Sequence, residues 1–151
     1  MYQRILVPID GSATAARGLA EAIALGRLTG ARLQLVHVID ELSFALAAGE
    51  GLTFSGDLLG LLRESGAAIL AGAQASVRAA GLEVETVLKE GLAGRVADLV
   101  LDQAKAWGAE LVVLGTHGRR GIGRLFMGSD AESIVRQAPM PVLLVRAGGQ
   151  S

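Results

Sequence analysis

The segment from Gly115 to Ser129 concentrates residue types suited to holding an anion: glycines at 115, 118, 121, 123 and 128, arginines at 119, 120 and 124, a histidine at 117 and a terminal serine. Glycine lets backbone amides come close to a phosphate, and a helix start adds the pull of its dipole, worth about 0.3–1 kcal/mol. Both ingredients are present. The apolar run Leu111 to Leu114 leads into the segment as a strand, and Asp130 to Val135 after it has helical character. Ser129 then stands at an N-cap position, with its hydroxyl over the free amides of the first turn. Strand-to-helix connections usually need only about 2–6 residues, so a connection this long asks for a ligand.

The spacing is more specific than the glycine content: Gly115, two residues, Gly118, nine residues, then Gly128 and Ser129. On these residues the chain resembles the universal stress protein family, in its ATP-binding branch, whose signature ends in Gly-Ser or Gly-Thr. Every fixed position of that signature is satisfied, and the resemblance covers essentially the whole chain. It implies a five-stranded parallel sheet of order 3-2-1-4-5, ATP with magnesium as the bound ligand, and a homodimer built on the last strand.

The resemblance also assigns residues. Asp10 matches the acidic residue after the first strand, a partner for ribose hydroxyls. Val38 and Leu114 match positions bordering the adenine. Gly115, Gly118, Gly128, Ser129 and the amides of Asp130 and Ala131 match the ribose and phosphate cradle, with His117 and Arg119 beside it. In the implied strand order Pro8, Ile9, Asp10 and Ser12 face this cradle from the end of the first strand, where the winding direction reverses.

The elements that must hold these residues follow from periodicity. Ile5 to Ile9 is a continuous apolar run, as expected for a strand buried on both faces. Gly11 permits the turn after it. Ser12 caps a helix with Ala15, Leu19, Ala22, Ile23 and Gly26 on one stripe, ended by Gly30. Arg32 to Val38 is the second strand, in which His37 is structural, and residues 40–56 fit neither period and read as a long connection, a lid or a disordered segment. A helix from about Asp57 to Ala80 stops at Gly81. Glu83 to Leu88 alternates as a third strand near an edge, and Glu90-Gly91 turns the chain. A helix over Ala93 to Trp107 places Val96, Leu99, Val100, Gln103 and Trp107 on its core side. After the glycine segment come a short helix, Ser129 to Gln137, and a fifth strand, Met140 to Arg146, with Pro141 at its tolerant start. Strands alternating with helices make one doubly wound α/β domain over 1–151.

Composition narrows the function. With 151 residues and 51% hydrophobic content the chain suits one domain with a substantial core. A net charge of −1 with scattered basic residues argues against charge-driven nucleic-acid or membrane binding. The absence of cysteine removes disulfides and thiolate metal sites and fits a reducing compartment, and no apolar run approaches the roughly 18 residues of a membrane span. A cytoplasmic protein is expected. The only lysines, Lys89 and Lys105, do not follow glycines, which rules out a Walker A loop, and Phe126 stands where a Rossmann fingerprint would need its third glycine. No residue set offers a general base with an orienting partner. A nucleotide-dependent regulatory module in the stress response is therefore favoured over a slow ATP hydrolase or self-phosphorylating enzyme using the same pocket.

Overall fold

A computed structural model describes residues 1–40, 56–91, 96–117 and 129–147. The elements are β1 (Arg4–Pro8), α1 (Ala13–Thr29), β2 (Arg32–Asp40), α2 (Gly56–Ala79), β3 (Val84–Gly91), α3 (Val96–Trp107), β4 (Leu111–His117), α4 (Ser129–Gln137) and β5 (Val142–Ala147). The five strands form one parallel sheet in the order β3-β2-β1-β4-β5, the order implied by the family resemblance. The chain winds outward one way from β1 through β2 and β3, then crosses to β4 and β5.

The central strands read as unbroken apolar runs because both of their faces are covered. Ile5, Val7, Leu33, Leu35 and Val113 pack under Leu19 and Ala22 of α1 and Leu70 and Val77 of α2. Leu6, Val36, Val112 and Leu114 face the other way, against Val100 and Ala104 of α3 and Ile134 of α4. Among the described residues two buried polar side chains, Gln34 and Thr116, interrupt this. Gln34 is satisfied by donating to Glu85 at 3.1 Å and accepting from Gln103 at 3.0 Å, while the Trp107 indole donates to the other Glu85 oxygen at 3.2 Å. Trp107 is thus half-buried against the core with its polar edge bonded, as residues of that kind prefer.

Helix ends follow the expected chemistry. Ser12 Oγ accepts from the Ala15 amide at 3.0 Å, and Gly30 closes α1 with φ of 76°.

The ends of β2, β3 and β4 lie later than expected. Gly115, expected to open the loop, lies inside β4, which continues to His117 by pairing with Val145, Arg146 and Ala147 of β5. β2 and β3 both run further, to the Asp40↔Gly91 pair, so Glu90-Gly91 is strand and not turn. A neighbouring strand offers ladder partners that local turn preference cannot match. α4 spans Ser129–Gln137 as expected, with Ser129 its first residue and not a cap ahead of it. The connection expected over 40–56 lies, apart from its ends, outside the described residues, as do Ala93 to Arg95.

The tightest junction is between α1 and β4. A Cβ added at Gly115 would run into the Thr14 carbonyl, 2.7 Å from its carbon, and a Cβ at Gly18 would stand 2.8 Å from the Gly115 nitrogen. Both obstacles are backbone, which cannot swing aside. Gly115→Ala is therefore expected to destabilise the fold by about 1–3 kcal/mol, a fall of roughly 2–12 °C in melting temperature. Gly72→Ala, in α2 with nothing within 4 Å of the new methyl, should instead leave stability unchanged or raise it by about 0.5–1 kcal/mol. Thermal denaturation of the two variants measures the contrast.

Candidate functional site

Where β1 and β4 lie side by side, their following helices leave on opposite faces of the sheet, and a crevice opens beyond the strands' carboxyl ends. A cavity of about 510 Å³ occupies it. Its β1 side is formed by Pro8, Ile9 and Asp10, then Ser12 and the first turn of α1. Its opposite wall is the end of β4, with Leu114, Gly115 and Thr116, and the first turn of α4, with Asp130 and Ala131.

The strand pleat sorts this cavity into two chemistries. Val36 and Val38 of β2 and Leu114 of β4 share a sheet face with Val96 and Val100 of α3 and Ile134 of α4, and together they make an apolar slot. Beyond it the lining turns polar: Asp10, Ser12, Thr14, Asp40, Thr116 and Asp130. A slot of this kind accepts a flat apolar ring, and the polar rim fixes what is attached to it.

Asp10 is exposed, and its Oδ1 accepts from the Ser12 amide at 2.9 Å, so one of its oxygens is engaged in shaping the turn. That bond and the Ser12 cap on Ala15 lock the chain from strand into helix. His37, adjacent to the slot residues on β2, points its Nδ1 at the Ile9 carbonyl oxygen at 2.7 Å, a contact in which the ring N–H donates. It ties β2 to the end of β1 and is structural, as expected.

Partial burial pushes the Asp130 carboxyl above its ordinary value of 3.8, and the negative charges of Asp40 and then Asp10 add to the effect. Asp10, Asp40 and Asp130 all line the cavity.

Nine of the residues singled out from the sequence meet here: Pro8, Ile9, Asp10, Ser12, Val38, Leu114, Gly115, Asp130 and Ala131. His117 ends β4, opposite Ala147 of β5, and Ser129 begins α4. Gly118, Arg119 and Gly128 lie outside the described residues. The sequence reading missed Thr14, Ala15, Val36, Asp40, Val96, Val100, Thr116 and Ile134 among the lining residues. A signal existed for three of them. Val36 and Asp40 flank Val38 at a spacing of two, and Thr116 follows Leu114 at the same spacing, so strand alternation already puts them on the site's face.

A family model described as "Universal stress protein family" matches residues 1–146. The chain belongs to the universal stress protein family. A universal stress protein of Thermus aquaticus is 37% identical over 146 residues, covering 97% of this chain and 100% of its own. The crystal structure of a family member from Burkholderia pseudomallei has 32% identity and a TM-score of 0.73, covering 95% of this chain and 96% of its own. The universal stress protein from Archaeoglobus fulgidus in complex with dAMP is 25% identical, with a TM-score of 0.63 over 95% of this chain and 98% of its own.

The carboxylates give this universal stress protein a measurable pH signature. Because folding raises the Asp130 pKa, the folded state holds that proton more tightly than the unfolded chain. Stability therefore falls as pH rises from about the ordinary value of 3.8 through the raised one, and stays lower above it. Asp130→Asn should be more stable than the parent at neutral pH, with the difference closing as pH drops below that window. Melting temperatures across a pH series check the sign; a difference that does not change with pH would contradict it.

Proposed function

We propose that the crevice between β1 and β4 binds an adenine nucleotide, ATP in the first place, and that the protein is a cytoplasmic regulatory module whose conformation reports nucleotide occupancy during stress. The observation that carries this reading is the cavity's division into an apolar slot and a polar rim at the point where the strand order reverses, with the first turn of α4 at its edge. The slot between Val38 and Leu114 suits an adenine ring. The unengaged oxygen of Asp10 suits a ribose hydroxyl, and the segment from Gly118 to Gly128, with its arginines, suits the phosphates. The A. fulgidus relative's complex with dAMP supports the same ligand class. Magnesium enters this reading as the companion of the phosphates.

Binding to the folded state alone stabilises it. At a free ATP concentration a hundred times the dissociation constant the gain is about 2.7 kcal/mol, or roughly 5–11 °C in melting temperature for a domain of this size. Asp10→Ala should stay folded and bind about ten- to hundredfold more weakly in calorimetry, since a bond to a charged group is worth about 1.5–3 kcal/mol. No shift with millimolar Mg-ATP in the parent protein refutes the assignment. Parent-like affinity in a folded Asp10→Ala protein confines that residue to its turn.

The same reading includes a homodimer through the last strand. β5 pairs with β4 on one side only, and Leu143 stands exposed on it, the kind of edge that a second copy protects. Leu143→Lys should give monomer or aggregate in light scattering; an unchanged dimer would place the interface elsewhere.

A further inference from the structure

Thr116 is the anomaly of the cavity wall. It is only 2% exposed, yet among the described residues its Oγ1 has no hydrogen-bond partner. A buried hydroxyl without a partner is costly, and native structures keep few of them without a reason. Its position suggests the reason. β4 points Leu114 and Thr116 to the same sheet face, and the pleat carries Thr116 about 6–7 Å further toward the carboxyl end than Leu114. Thr116 thus lies just past the apolar slot, where a ring held against Leu114 would give way to its substituent.

The surroundings select the substituent's chemistry. Asp10, Asp40 and Asp130 line the same cavity, and no lysine or arginine does so among the described residues. Such a wall is rich in acceptors and negative in potential, so it favours a group that donates hydrogen bonds and carries no charge of its own. We infer that Thr116 Oγ1 is a ligand-contacting residue that hydrogen-bonds a hydroxyl of the bound nucleotide's sugar. This rests on the nucleotide-binding reading and adds to it the part of the ligand that the β4 wall recognises. A threonine hydroxyl both donates and accepts, so it can pair with a sugar hydroxyl whose own proton goes to a neighbouring carboxylate.

The test compares Thr116→Val, which keeps the shape and removes the hydroxyl, with Thr116→Ser, which keeps the hydroxyl. The probes are ATP, adenosine and 2′,3′-dideoxyadenosine, measured by calorimetry together with the melting temperature of each ligand-free protein. The valine variant should melt no lower than the parent, because it loses no internal bond. It should bind ATP and adenosine roughly three- to tenfold more weakly, the size of one neutral hydrogen bond, and dideoxyadenosine as the parent does. The serine variant should bind all three within about twofold of the parent. A ligand-free valine variant that melts clearly lower would show that the hydroxyl serves the fold, and parent-like affinity for adenosine would show that it does not meet the sugar; either overturns the inference. If the parent binds ATP and Asp10→Ala weakens it while Thr116→Val does not, only this inference fails. If the parent binds none of the probes, the nucleotide reading fails as well.

Discussion

The site depends on how closely the first turn of α1 approaches the end of β4. With a side chain at neither Gly18 nor Gly115, the backbone of Thr14 lies directly on the backbone of Gly115. That contact sets the width of the crevice, because Ser12 and Thr14 on one side and Leu114 to Thr116 on the other belong to the same two elements. A larger residue at either glycine would push α1 off the sheet and carry the Asp10 turn with it. The glycine at 115 therefore has a packing role that precedes any role toward a ligand, and it lies within the sheet and not in the loop.

Charge sets the second constraint. The described part of the cavity is apolar at its floor and acidic at its rim, while the cationic side chains of the region, Arg119, Arg120 and Arg124, belong to the segment between β4 and α4. A nucleotide divides in the same way, into a neutral base and sugar and an anionic tail. In the proposed reading, base and sugar lie against the strands and the phosphates toward that segment and the start of α4.

Most of the fold was legible because its signals are local. Continuous apolar runs mark strands covered on both faces, Ser12 marks a helix start, and Gly30, Gly81 and Gly108 mark helix ends through their positive φ. Errors fell where pairing decides: β2, β3 and β4 each extend as far as a neighbour offers ladder partners, which no single segment reveals. The strand order came from family likeness, since periodicity says nothing about which strands are adjacent. At the site, most motif positions among the described residues were found, whereas Thr116, Val36 and Ile134 were not. Alternation from Leu114 and Val38 puts Thr116 and Val36 on the same face, whereas only the assembled cavity shows that Ile134 of α4 joins them.

The central claim is that a nucleotide occupies the crevice between β1 and β4. Hydrogen–deuterium exchange with and without saturating Mg-ATP tests it most directly, because it reports where protection appears as well as whether the ligand binds. The account predicts slower exchange in three peptides distant in sequence, covering the Asp10 turn with the first turn of α1, the end of β4, and the start of α4, with β3 and the middle of α2 unchanged. Binding that protects other regions and leaves those three as they were would contradict it.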